Sequence, residues 1–471
     1  MFEPIFALPL VFLFYSYLVA PIITYIWDPK NLRRYPNFHP LSGISDIPFL
    51  LAAQKGFHSR TLHALRQHHP VIRVGPNALS HGAPAAIKDI HGHGTTCVKD
   101  RFYSETSGSH AHLADVVDKQ DHARKKKVLA SAYTIKYLEG WEYKVSDMTA
   151  RLIRVFDDRC TEALRPSVQV PEERDLTLDF RSWTNHFTVA AIANIGLSED
   201  LGFLEQGSDK ISSESMDGQV KNRLSKVLSP YYRNLWKLDA DWNGIVYSRA
   251  TRRLKRYLSG EKLDDFFTAM MEDKKGAAHN LEMGEIVAEI SIMMNAGSDT
   301  IAIALRNVLF FLLKNTRCMA RLREEIDEVL DGDEIVAPYS KVKHLSYLRA
   351  CLDESLRMLP PVIFGLPRRT LPEGTTILGE HVAGDTSVSI SAYVVHHDES
   401  VYKDNNTYLP ERWLGEEGKS LQSYLIPFST GARGCIGRNI SYLEQTVVLA
   451  SLTTNLSPGP MPLKIWKRVH A

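Results

Sequence analysis

Residues 428–437 read FSTGARGCIG, the only stretch of the chain that sets a cysteine among closely spaced glycines. Gly431, Gly434 and Gly437 clear side chains from a surface where a flat ligand could rest on backbone, and glycine also admits positive φ. Arg433 puts a cation two residues before the sulfur of Cys435, an arrangement suited to a carboxylate. Phe428 is placed to cover the sulfur. The run that follows, RNISYLEQTVVLASL, opens a helix. Cys435 therefore stands just ahead of a helix N-terminus, whose amides and dipole favour a thiolate. An isolated cysteine is more often a packed structural thiol. The full Phe-x-x-Gly-x-Arg-x-Cys-x-Gly spacing reverses that preference and asks what approaches the sulfur.

Other short runs carry reactive groups. AGSDT, residues 296–300, interrupts an apolar helical run. There Gly297 lets a ligand approach the helix backbone. Thr300 can hydrogen-bond that ligand or back-bond to a carbonyl, and Asp299 can relay protons. Taken alone, Ser-Asp-Thr in a helix is more often a cap or a surface feature. Inside so apolar a run an unpaired acid would be costly, so a role or a partner is expected for Asp299. ESLR places Glu354 and Arg357 on one helix face, where a surface ion pair of little worth is the common case. LPERWL adds Glu411, Arg412 and Trp413 after Pro410. DIHGHGTTC offers His91, His93 and Cys97, but the spacing matches no zinc pattern and a fourth ligand is missing.

The elements that must position these groups are mostly helices. Residues 114–164 repeat apolar side chains at three- and four-residue intervals. The longest helical run, residues 282–317, is apolar nearly all round in its second half, which predicts burial in the middle of a domain. Residues 343–361 form another helix, stopped at Pro360 and Pro361. Residues 374–395 alternate with turn signals and predict short strands. No repeat or second linker follows, so 49–471 reads as one large, mainly helical domain with small β sheets.

The N-terminus is of different material. Residues 5–26 carry no charge and are long enough to span a hydrocarbon core, with Pro9 and Pro21 kinking the span. A cleaved signal peptide fits less well, because the apolar run is too long and no basic n-region precedes it. Residues 1–27 are therefore expected to be a membrane anchor, followed by a Pro-rich linker over 28–48. Lys30, Arg33 and Arg34 put the following body on the cytosolic side. The net charge of +1 argues against a nucleic-acid binder driven by bulk charge. The five cysteines form no CxxC pair and fit a reducing compartment.

The loop around Cys435 resembles the haem-binding signature of the cytochrome P-450 superfamily, whose cysteine thiolate is the proximal iron ligand. AGSDT is similar to that family's oxygen-activation motif. ESLR and PERW are similar to the segments that brace its proximal side. The resemblance covers about residues 28–468 and implies a mainly α fold with small β sheets, the cytochrome P-450 fold, preceded by one N-terminal transmembrane helix. It implies haem b on Cys435, with Phe428, Gly431 and Gly437 around the sulfur and Arg433 on a propionate. Thr300 and Asp299 would assist proton delivery, and Glu354, Arg357 and Arg412 would form one buried network.

DHARKKKVLASAY resembles the family's helix over the haem edge. That places His122 and Lys126 near a propionate, with lysine a point charge where a guanidinium fork is usual. Residues 125–127 read equally as a solvated face or as a cationic docking surface for an acidic reductase. FGLPRR resembles the segment that supplies a propionate arginine, Arg368, with Arg369 the fallback. Pocket candidates by resemblance are residues 103–112, residues 292–297 with Ala296 and Gly297, and residues 362–365 with Val362, Ile363 and Phe364.

The resemblance implies a haem-dependent monooxygenase that inserts one atom of dioxygen into an apolar small molecule. Electrons would come from NADPH through the flavoprotein NADPH–cytochrome P-450 reductase, with cytochrome b5 a further partner. Several stretches are similar in tenor to filamentous-fungal enzymes of secondary metabolism. A benzoate-type aromatic-acid hydroxylase is the alternative on similarity. A haem-thiolate isomerase or dehydratase using no NADPH, and a haem carrier or sensor without catalysis, also stay open. A single-pass endoplasmic reticulum protein with a cytosolic body is implied, which would leave the sequons at Asn405, Asn439 and Asn455 silent. One departure stands out. The family usually carries a β-hairpin after the post-cysteine helix. Between Leu452 and Pro458 there is no room for two strands and a turn, whereas residues 463–467 can supply one terminal strand. A pocket-lining segment is expected to be shortened or lost.

Overall fold

Strand β1 (Val71–Gly75), VIRVG, is buried at every position, and its β-branched residues suit a strand covered on both faces. Strand β2 (Ala78–His81) returns antiparallel to it, pairing Val71 with His81 and Gly75 with Ala78. Strand β3 (Val98–Lys99) pairs with β4 (Arg368–Arg369). Strands β5 (Thr375–Ile377) and β6 (Glu380–Val382) form a separate hairpin. Its turn residues Leu378 and Gly379 have φ of 51° and 81°, as a tight two-residue hairpin turn requires. Strand β7 (Ser387–Ile390) lies parallel to β2 and completes a five-stranded sheet in the order β1-β2-β7-β4-β3.

The structure is a computed structural model and describes residues 12, 14–159, 179–207, 233–273, 275–458 and 465–467. The described residues form two compact units. The first takes the chain up to Tyr103 together with 357–407 and 416–435, and so contains both sheets above and the cysteine loop. The stretch expected to be a linker, 28–48, is tied down there. Asn37 bridges Arg73 of β1, the Phe38 amide donates to the Arg73 carbonyl at 2.8 Å, and the Arg73 amide donates to the Pro36 carbonyl at 2.8 Å. Its prolines lack donors of their own but leave carbonyls for the edge of the sheet.

The second unit takes 104–356, 408–415 and the chain from Ile436 on. Its axis is the helix Met283–Lys314, which lies against the helix Phe180–Leu197. The two approach closely where side chains are missing. A Cβ on Gly196 would stand 2.1 Å from Met293 Cε, and one on Gly297 would stand 2.8 Å from Ile192 Cδ1. The second half of the long helix buries Ile301, Leu305, Val308 and Leu312, in line with its apolar sequence. Among the described residues it is also the one helix long and apolar enough to cross a membrane, and its buried stripe belongs to the core of this unit.

Two expectations concern the chain ends. The span at 5–26 falls partly on residues 1–11 and 13, which lie outside the described residues. The described helix Ala20–Trp27 carries Pro21 in its first turn and leaves Ile22, Ile26 and Trp27 exposed. At the other end the helix Arg438–Asn455 runs past Leu452, and strands β8 (Leu456–Pro458) and β9 (Ile465–Lys467) pair antiparallel. This corrects the expectation of a single terminal strand: a short pair forms, because residues 456–458 extend as soon as the helix ends. Residues 459–464, which join the two strands, lie outside the described residues.

Candidate active site

Backbone hydrogen bonds build the turn that presents Cys435. Its amide donates to the Phe428 carbonyl at 2.8 Å, and the Gly434 amide donates to the Gly431 carbonyl at 3.1 Å, closing a 3-10 turn over Gly431–Arg433. Gly431 has φ of 71°, and a Cβ there would stand 2.0 Å from the His91 carbonyl, so no other residue fits. The Gly437 carbonyl accepts from the Ser441 amide at 3.0 Å, at the start of the helix Arg438–Asn455. Among the described residues the free cysteines 97, 318 and 351 are buried, and Cys435 alone is exposed. A thiol held out on a glycine-cleared turn just ahead of a helix is equipped to bind a metal ion as thiolate.

Beside this turn the first unit has a small cleft, lined by Val362, Phe364, Ile426 and Thr430 among others. Two of the expected pocket residues, Val362 and Phe364, are thus placed next to the cysteine loop. Between them the Ile363 carbonyl accepts from the hydroxyls of Ser59 and Ser391, which fixes this stretch. Of the two candidate arginines, Arg369 is engaged by Asp100 at 3.4 Å and by the Asp385 carbonyl at 3.2 Å. Arg368 is buried and has no carboxylate partner among the described residues. Burial draws its pKa below the usual guanidinium range, and the Tyr103 hydroxyl opposes that. Arg368 is the one available to an anion. The His91, His93 and Cys97 cluster is divided, with His91 and Cys97 buried and His93 exposed.

In the second unit the Thr300 hydroxyl donates to the Ala296 carbonyl at 2.8 Å, and Ser298 does the same to Met294 at 2.7 Å. Successive back-bonds of this kind loosen a helix locally. Two expectations need correction. Gly297 does not open the helix to a ligand, because Ile192 of the neighbouring helix fills the space beside it. Asp299 is not buried in the apolar run; it is exposed and acts on Arg306, whose pKa burial lowers and Asp299 raises.

Of the bracing residues Glu354 and Arg357 are buried, and the side chain of Arg412 is 6% exposed. Glu354 accepts from the Leu409 amide at 2.9 Å, Arg412 Nε at 3.0 Å and Trp413 Nε1 at 2.9 Å. Both carboxylate oxygens are thereby occupied at 0% exposure, far from the surface pair that the spacing alone suggests. Arg357, in the first unit, donates to the carbonyls of His396 and Asn405, each at 2.8 Å, and of Thr407 at 3.3 Å. The Asn405 sequon is closed by this packing, since Asn405 is buried and donates to the His397 carbonyl at 2.6 Å.

On the helix Lys119–Leu129, started by the Asp118 side chain on the Asp121 amide, His122 is buried and Lys126 half-buried. Lys125 belongs neither to a solvated face nor to a docking surface. It is 4% exposed and lies 2.9 Å from Glu285 and 3.4 Å from Glu289 of the long helix. Glu289 also accepts from the Leu113 amide at 2.9 Å, so the ion cluster holds the end of the 103–112 stretch. Although burial opposes it, the hydrogen bonds from Arg124 and Lys125 bring Glu285 down to about 2. A second residue went unmarked. Glu444 is fully buried in the helix Arg438–Asn455 with both carboxyl oxygens unpartnered, and burial pushes its pKa up to about 8. An acid within YLEQTVVLASL is a sequence signal for such a site.

The model of the family described as cytochrome P450 matches residues 49–464. Cytochrome P450 monooxygenase AMT3 of Alternaria alternata is 31% identical over 454 residues, spanning 90% of this chain and 87% of that one. Cytochrome P450 monooxygenase atr2 of Stereocaulon alpinum is 30% identical over 464 residues, spanning 93% and 89%. The fold is similar to the crystal structure of the cytochrome P450DA heme domain, with a TM-score of 0.76 over 92% of this chain and 98% of that one, at 16% identity. Exposed thiol, glycine-cleared turn and buried braces therefore fall in a chain that belongs to the cytochrome P450 family and is a haem-type monooxygenase.

Proposed function

We propose that Cys435 is the thiolate ligand of a haem iron, and that the protein oxidises an apolar small molecule in fungal secondary metabolism. The observation that carries this is the exposed Cys435 on a turn that only glycine at 431 permits. The residues present fit the group: the sulfur is accessible, a Cβ-free cradle lies beside it, and Arg368 is buried without a carboxylate partner among the described residues. A thiolate-bound haem supplies dioxygen activation with electron density pushed from sulfur. The rest falls to the chain. The Cys435 amide, bonded to Phe428, sets the direction of the sulfur, and Arg368 and Arg433 offer cations to carboxylates. Thr300 can rotate its hydroxyl from the Ala296 carbonyl to hold a proton for a bound ligand, with exposed Asp299 the acid that resupplies it. Val362 and Phe364 bring apolar surface to the cleft and exclude water from it.

Reduction is assigned to NADPH through a flavoprotein reductase, and the N-terminal apolar stretch to a membrane anchor that leaves the body on the cytosolic side. The relatives' names support the monooxygenase reading, and the uncharged 5–26 stretch supports the anchor. The test is a carbon monoxide difference spectrum of the reduced full chain, followed by product analysis with reductase and NADPH. A thiolate-type Soret band with NADPH-dependent oxygenated product is the expected result. The band without NADPH use would replace oxygenation by isomerisation or dehydration, and no bound haem would end the proposal.

A further inference from the structure

His91 closes the helix Ala86–His91, is 5% exposed as a residue, and has its Nδ1 buried without a partner. An unmet buried donor or acceptor costs about 1–3 kcal/mol, so a native site of this kind needs a partner that the chain itself does not supply. Across the same cleft Ser429 repeats the pattern: its Oγ is buried and unpartnered, and its backbone is held at φ of 54°, a region unfavourable to a non-glycine residue. Both side chains line a cleft whose other walls include Val362, Leu366 and Ile390. The third group is Arg368, 4% exposed and close enough to disfavour a proton on His91. Burial first and this cation second bring the imidazole down to about 3, so the ring is neutral and one of its nitrogens carries a hydrogen to donate.

The ligand follows from the chemistry of this corner. A cation is excluded by Arg368, and a neutral polar group would leave the guanidinium uncompensated. A carboxylate accepts from imidazole, hydroxyl and guanidinium together. We propose that His91 and Ser429 donate hydrogen bonds, beside Arg368, to a propionate carboxylate of the haem. This rests on the haem reading above, and it makes His91 and Ser429 positioning residues for the cofactor.

The experiment uses the holoprotein and haem transfer to excess apomyoglobin. Wild type, His91→Phe, His91→Asn and Ser429→Ala are each loaded with haem and, in parallel, with its dimethyl ester, which has no carboxylate. With haem, His91→Phe is expected to release about tenfold faster and Ser429→Ala about threefold faster. His91→Asn, whose amide nitrogen replaces Nδ1, is expected to stay within about twofold of wild type. With the ester, all four rates should coincide. Equal rates with haem overturn the proposal, as does a difference that persists with the ester, which would make His91 a packing residue only. If His91→Phe does not fold, Ser429→Ala carries the same comparison. A substrate acid as the true ligand would also overturn it; it would show as benzoate binding, read by the Soret shift, that weakens in His91→Phe and Ser429→Ala while haem release is unchanged. Wild-type protein that takes up no haem ends the haem reading itself, an outcome separate from all of these.

Discussion

Cys435 and Cys351 are the same residue in opposite surroundings. Cys351 lies inside the helix Ser346–Met358 at 0% exposure, and burial holds its thiol well above the usual range despite the Tyr408 hydroxyl nearby. It packs as a small hydrophobe. Cys435 lies on a turn, exposed, with its own amide turned back to Phe428. The local backbone makes the difference, through a glycine at φ of 71° and a helix that begins three residues later. Reactivity here is a property of the turn, and sulfur alone confers none.

The sharpest way to break that contrast is Cys435→Ala. The reduced carbon monoxide spectrum should lose its thiolate-type band completely, and retention of the band would remove Cys435 from the iron. Next in size is Glu354→Ala, which strands Arg412 and Trp413 in the interior. A loss of about 3–5 kcal/mol is expected in urea denaturation of the holoprotein. A loss under about 1 kcal/mol would place the brace elsewhere.

Glu444 sharpens the comparison from a third side, as a buried group that lacks even the polar neighbours of Cys351. Burial lifts its carboxyl from the ordinary 4.5 to about 8, so over that range the native state binds a proton that the unfolded state releases. Stability from this group is present in full below about pH 4.5, declines as pH rises, and levels off above about 8. Glu444→Gln should therefore gain on wild type between pH 5 and 8, by on the order of 4 kcal/mol at most. Urea midpoints of the two proteins that move in parallel over this range would show that Glu444 is satisfied. The smallest effect belongs to Cys351→Ala, with about 1–2 kcal/mol lost and the haem spectrum unchanged. A changed spectrum there would undo the division between the two thiols.

What the sequence shows of this site is what local spacing can carry. The Cys435 loop, the AGSDT run and the ESLR pair are legible because each chemistry needs neighbours within a few residues. Lys125 is not legible. Three lysines in a row read as solvent-facing, and it is Glu285 and Glu289, far along the chain on the long helix, that turn one of them inward. Gly297 shows the same limit, since nothing near it in the chain announces that Ile192 will occupy its open side. The short strands were visible as alternation in residues 374–395, but their partners were not. The parallel register of β2 on β7 joins Ala78 to Ser387 across most of the chain, and such pairings leave no local signal.

Arg357 grips the segment after its helix by three main-chain carbonyls, those of His396, Asn405 and Thr407. The carbonyls in this clamp carry no side-chain identity, whereas the guanidinium also stands 5.3 Å from the centroid of the Tyr402 ring, so position 402 is read by its side chain. Substitutions can therefore accumulate at the exposed positions of that segment while its path is kept. A saturation library over residues 399–407 should tolerate most changes at the exposed positions and few at Tyr402 and Asn405, which are buried.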